Sequence, residues 1–217
     1  MDERELIART ADHVKDQMTG ESSGHDWWHV YRVWQMAMRL ASQTEADMTV
    51  VELGALLHDI ADWKLNGGNL EIGPRVAREW LESLKADPKI IDQVTSIVAG
   101  GSFIGAGVPD KADSLESQIV QDADRLDALG AVGIGRTFAF GGAQNRQMYD
   151  PEISPVHHET FESYRTSASP TINHFYEKLF LLKDRMHTAA GREIAEGRNR
   201  YMEDFVERFY LEWDGKI

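Results

Sequence analysis

Cysteine is absent from the 217 residues, so disulfides and thiolate metal sites are both excluded, and any metal must be met by nitrogen and oxygen. Basic residues are scarce beside acidic ones, 23 against 36. The resulting net charge of −13 works against nucleic acid or an anionic membrane as a partner, since either needs a basic footprint. A small phosphorylated substrate stays admissible, because a bound cation reverses the local potential. No apolar run approaches the roughly 18–20 residues that span a bilayer, and Met1-Asp2-Glu3-Arg4 leads into no signal-type apolar core. The expected location is therefore the cytoplasm. Sustained period-two alternation and internal repeats are missing as well, which leaves an all-α chain. Its length suits one well-cored domain, 1–217.

What is present is helical periodicity. Residues 3–18 carry Leu6, Ile7, Ala11, Val14 and Met18, and residues 26–43 carry Val30, Val33, Trp34, Ala37, Leu40 and Ala41, with Asp26 placed to cap the first turn. A helix over about 50–65 has Thr49 as cap and Glu52 as its capping-box partner. Further helices are expected over 71–86, from Asp87-Pro88 through Val98, and over 113–129, 171–188 and 190–213. The glycine-punctuated stretch 130–142 reads either as closely packed helix or as an irregular wall. Turn signals crowd residues 144–169, at Tyr149-Asp150-Pro151, Ser154-Pro155 and Ser169-Pro170, and mark a surface excursion or lid.

The stretch Leu53 to Lys64 organises the rest. Leu53, Leu56, Leu57 and Ile60 make a buried stripe, and His58, Asp59, Asp62 and Lys64 hang on the same predicted helix. Imidazole and carboxylate beside an apolar stripe need a partner, because an unpaired buried charge costs several kcal/mol, and a metal ion is the usual way to satisfy such a cluster. His29 lies one helix earlier, in His25-Asp26-Trp27-Trp28-His29. Asp122 lies in Gln121-Asp122-Ala123-Asp124-Arg125-Leu126-Asp127, among apolar neighbours at 119, 120 and 126.

The ordered set of one His, a His-Asp doublet and a distant Asp, each on its own helix, resembles the HD-domain superfamily of metal-dependent phosphohydrolases. The resemblance extends through Leu56-Leu57-His58-Asp59, the segment 121–128, and the closing stretches 172–179 and 210–215. It is closest to the small bacterial HD proteins described as hydrolases, one branch of which cleaves nucleoside triphosphates with manganese. It implies an HD-domain helical bundle with His29, His58, Asp59 and Asp122 as ligands of a divalent ion. The extra histidines that dinuclear members place before the last Asp are missing, since none lies between His58 and His157, so one metal is expected.

Two imidazoles and two carboxylates without sulfur suit Mn²⁺, placed first here, or Mg²⁺, Ni²⁺, Co²⁺ or Fe²⁺, and are less diagnostic of Zn²⁺. Such an ion polarises a phosphoryl oxygen and acidifies a bound water. Asp62, three residues beyond Asp59, is the expected handler of the water's proton, as related nucleotidases use a carboxylate at that offset; it reads otherwise as a solvated helix residue. Lys64 and Arg32 are candidates for substrate phosphate or for a salt bridge. Lys178, Lys183, Asn173 and His174 are further candidates for substrate. His25 is either a group orienting a ligand from behind or a loop histidine, and Asp124 and Asp127 orient ligands or fix their helix through Arg125. The expected substrate is a nucleoside triphosphate cleaved to monophosphate and pyrophosphate. Alternatives are a nucleoside monophosphate or cyclic nucleotide, or a metal-containing ligand-binding module without turnover. A homodimer stays open.

Overall fold

The computed structural model describes residues 1–18, 26–61, 69–100, 110–157 and 169–217. His25, Asp62 and Lys64 lie outside the described residues, as does the part 158–168 of the expected excursion. Every regular element among the described residues is helical, as expected of an all-α chain. Among them, no helix is long and apolar enough to cross a membrane. Of the described residues, those up to Asp124 form one compact unit and those from Arg125 onward a second.

The first unit is built around α3, Met48–Leu57, which is buried almost all round: Val50, Val51, Leu53, Gly54, Ala55, Leu56 and Leu57 all face packed neighbours. It packs against α1 (Glu3–Gln17), α2 (Trp27–Ala41) and α5 (Pro88–Gly100), and α5 packs in turn on α4 (Ile72–Ser83). Gly54 permits the close approach of α5, since a Cβ there would stand 3.0 Å from the Ile97 side chain. The α3 cap differs from expectation. Asp47 accepts from the backbone of Thr49 and Val50 at 3.0 and 3.3 Å. Thr49 instead donates to Glu3, and Glu52 accepts from the Trp34 indole at 2.8 Å.

The α3 helix also stops at Leu57 rather than near 65. The His58 ring nitrogen Nδ1 lies 2.7 Å from the Ala55 carbonyl, and the Ile60 amide closes a tighter turn onto Leu57. A side chain competing for the last-turn carbonyls ends a helix whose apolar spacing would have continued. Helical spacing therefore no longer argues that Asp62 shares a face with Asp59. The last element to begin in this unit is α6, Leu115–Asp127, whose first turn is tied by reciprocal bonds between Ser114 and Ser117.

In the second unit, 130–142 proves to be helix: α7 spans Gly130–Ala143. The single helix expected over 171–188 is instead a short α8, Asn173–Glu177, followed by a 3-10 helix Leu179–Arg185. Its polar side chains explain the break. Asn173 and Glu177 are buried, Asn173 donating to the Ile153 carbonyl and to Ser169, and Glu177 accepting from Ser169 and from the Val156 amide. These bonds, with Thr171 and Ile172 donating to Gln147 and Met148, fasten residues 147–157 along the unit's surface. The long α9, Ala189–Trp213, packs on α7 and on the 3-10 helix. Phe138, Phe175, Phe205 and Phe209 fill the space between them.

Candidate metal centre

His29 sits in the first turn of α2, where Asp26 caps the helix by accepting from the His29 amide at 3.0 Å. The apolar stripe of Val30, Val33, Ala37 and Leu40 is turned into the core, and His29 is carried inward with it to complete burial. His58 follows the last residue of α3. A carbonyl oxygen only accepts, so the 2.7 Å contact with Ala55 assigns a ring proton to Nδ1 and, in the neutral ring, leaves the lone pair on Nε2.

The two Nε2 atoms stand 3.2 Å apart, with the rings nearly perpendicular at 72°. The Asp59 carboxylate reaches 3.3 Å from His29 Nε2 and 3.6 Å from His58 Nε2. A second carboxylate, that of Asp124, lies 3.5 and 3.8 Å from the same two nitrogens. His29, His58 and Asp59 offer ligand atoms within 4.8 Å of one another. Ligands at about 2.1 Å from one ion lie roughly 3.0 Å apart at the corners of an octahedron and roughly 3.4 Å apart in a tetrahedron. The spacings here, 3.2 to 3.8 Å, straddle the tetrahedral value and exceed the octahedral one, so the donor set closes on a single divalent ion after a contraction of up to about 0.8 Å.

The expected fourth ligand was Asp122, but the short distances go to Asp124. Residues of an α-helix turn 100° each, so positions 122 and 124 point about 200° apart and cannot face one place. Asp122 lies next to Ile119, Ala123 and Leu126 in the packed stripe and is fully buried. Asp124 keeps a third of its side chain exposed. Nearness to the apolar seam points to Asp122, and the measured distances to the two imidazoles point to Asp124.

The other candidates divide by unit. Arg32 is half-buried on α2, three residues beyond His29. The Asp127 carboxylate pairs with Arg136 at 3.0 Å, a partner the sequence did not suggest. The Arg125 guanidinium donates to the Arg185 carbonyl and lies 3.3 Å from His187 Nε2. Lys178, Lys183 and His174 are half-buried in the second unit. Asn173 donates to the Ile153 carbonyl and to Ser169, bonds that give it a structural task.

Comparison with known proteins follows the same lines. The HD domain family matches over residues 27–129, a span containing all four residues of the cluster. YpgQ of Bacillus subtilis (strain 168) is 38% identical over 196 residues, 90% of this chain and 87% of that protein. Its crystal structure in complex with ADP superposes with a TM-score of 0.77 at 30% identity, over 98% of this chain and 97% of that one. A protein of Lactobacillus plantarum superposes with a TM-score of 0.89 at 33% identity, over 99% and 100%. An HD-superfamily hydrolase from Bacillus thuringiensis gives 0.74 at 44% identity, over 98% and 99%.

Proposed function

Because this chain belongs to the HD-domain family, we propose that it is a metal-dependent hydrolase of a small phosphorylated compound, and specifically of a nucleoside triphosphate, cleaved to monophosphate and pyrophosphate. The observation that carries the reading is the convergence of the His29 and His58 Nε2 atoms with the Asp59 and Asp124 carboxylates. These four groups would hold one divalent ion, with Mn²⁺ first among the candidates for two nitrogen and two oxygen donors. When bound, such an ion supplies charge to a phosphoryl oxygen and acidifies water. The hydrolase relative supports the reaction class, and the ADP complex of YpgQ supports a nucleotide as substrate.

The protein residues bind, orient and move a proton. Ala55 orients the His58 ring through its carbonyl. Asp62 is proposed to take the proton from the attacking water, and Arg32 and Lys64 to bind phosphate oxygens. Attack at the α-phosphorus forms one P–O bond, breaks the bond to the bridging oxygen, and releases pyrophosphate.

A product-resolved screen of nucleotides with added Mn²⁺ tests this. Equimolar monophosphate and pyrophosphate from a triphosphate support the reading. Nucleoside and orthophosphate from a monophosphate, or a monophosphate without orthophosphate from a cyclic nucleotide, replaces the substrate assignment. A Mn²⁺-loaded protein without turnover on any of them makes the chain a binding module.

A further inference from the structure

Two arginines from other helices hold the last turn of α6, just beyond Asp124, and a third, Arg125, reaches out from it. Arg198 of α9 donates to the Leu126 carbonyl, and its stem packs against Gly130, where a Cβ would stand 3.1 Å from Arg198 Cγ. Arg125 donates to the Arg185 carbonyl. Arg136 of α7 pairs through Nη1 with Asp127 Oδ2 at 3.0 Å, with side chains only 16% and 5% exposed. Carbonyls at a helix C-terminus lack intrahelical partners and lie at the negative end of the helix dipole, so cationic donors there hold a turn that otherwise frays.

Asp127 follows Asp124 by three residues and so shares nearly the same side of α6. Among the described residues the Asp124 carboxylate has one kind of partner, the imidazoles of His29 and His58. With no donor of its own to fix its rotamer, this carboxylate falls where the helix backbone puts it. The same turn carries the Asp127–Arg136 pair. We propose that Asp127 and Arg136 are positioning residues for Asp124, setting its carboxylate at the distance from the two imidazoles at which one cation is bound. The proposal rests on the cluster being a metal centre.

A buried ion pair adds little net stability, and apolar replacement of both partners is often neutral, so its role can be separated from mere support of the fold. The test titrates the metal-free full chain and its Asp127→Asn, Arg136→Gln and Asp127→Leu/Arg136→Met variants with Mn²⁺, following free ion by electron paramagnetic resonance. The absorption bands of Co²⁺ report ligand geometry, and thermal unfolding of the apo proteins reports stability. Partners that orient a ligand from behind typically change metal affinity 10- to 100-fold, so each single variant should bind Mn²⁺ about 10-fold or more weakly, with a changed Co²⁺ spectrum. The double variant should match the singles in affinity while regaining apo stability. Arg136→Lys, which keeps the charge, should recover part of the affinity. Folded variants with affinity within twofold of the parent overturn the positioning role and leave the metal centre standing. A parent chain that takes up no Mn²⁺ overturns both.

Discussion

The Nε2 atoms of His29 and His58 face each other across 3.2 Å, brought there by two helices whose contributions are 29 residues apart. The Ala55 carbonyl accepts from the proton on His58 Nδ1, so in the neutral ring Nε2 is the acceptor. Adding the nearby carboxylates makes a knot of electron pairs that a cation resolves. A ligand that binds only the folded state at 100 times its dissociation constant stabilises by about 2.7 kcal/mol. For a chain of this size that corresponds to roughly 5–10 °C in Tm. Wild-type protein should show such a rise with Mn²⁺, and His58→Ala should show none. An equal rise in the variant would place the ion elsewhere.

Asp122 and Asp124 separate by the same logic. Asp124→Asn should weaken Mn²⁺ binding by at least 10-fold with little change in apo stability, because its side chain is partly exposed. Asp122→Asn should cost about 1–3 kcal/mol of apo stability, as buried polar groups do when their bonding is disturbed, and leave Mn²⁺ affinity nearly intact. Parallel calorimetric titration and chemical denaturation of both variants check this; the reverse pattern would restore Asp122 as the ligand.

This pair also shows what the sequence made legible. Apolar spacing located α1, α2, α5 and α9 to within a few residues, and the positions of His29, His58 and Asp59 on buried faces drew attention to residues that do come together. The same spacing hid the end of α3, because Ile60 continues the stripe while the His58 ring takes the Ala55 carbonyl. It misjudged 171–188 because Asn173 and Glu177 look like ordinary polar helix positions until Ile153, Val156 and Ser169 supply their partners. Arg136 carried no signal at all. Long-range partners of polar side chains are set by packing, which leaves no period in the chain.

Asn173→Ala removes the bond to the Ile153 carbonyl and to Ser169, leaving a strap anchored mainly through Glu177 and the backbone bonds of 171 and 172. The expected loss is about 1–3 kcal/mol, with faster proteolytic cleavage within 147–157. The Michaelis constant should stay within about twofold of the parent. A large rise in it with unchanged stability would return Asn173 to the substrate.

His13 gives a pH signature independent of the metal. Burial lowers its pKa from the usual 6.5, against an opposing pull from Asp16, and its ring stacks on Trp80 at 3.7 Å. The folded state therefore prefers the neutral ring. The stability this lends is fully present above about pH 6.5 and is lost as pH falls from there through the lowered folded value. Thermal unfolding of the metal-free chain between pH 8 and pH 5 should fall more steeply than that of His13→Gln. Parallel curves would show that His13 is not a source of the slope.

The ligand set itself is read most directly by pulsed electron paramagnetic resonance of the chain loaded with Mn²⁺. The account predicts one ion per chain with coupling from two imidazole nitrogens, one of which disappears in His29→Ala and one in His58→Ala. A bound Mn²⁺ with no nitrogen coupling, or with couplings indifferent to both substitutions, would contradict it.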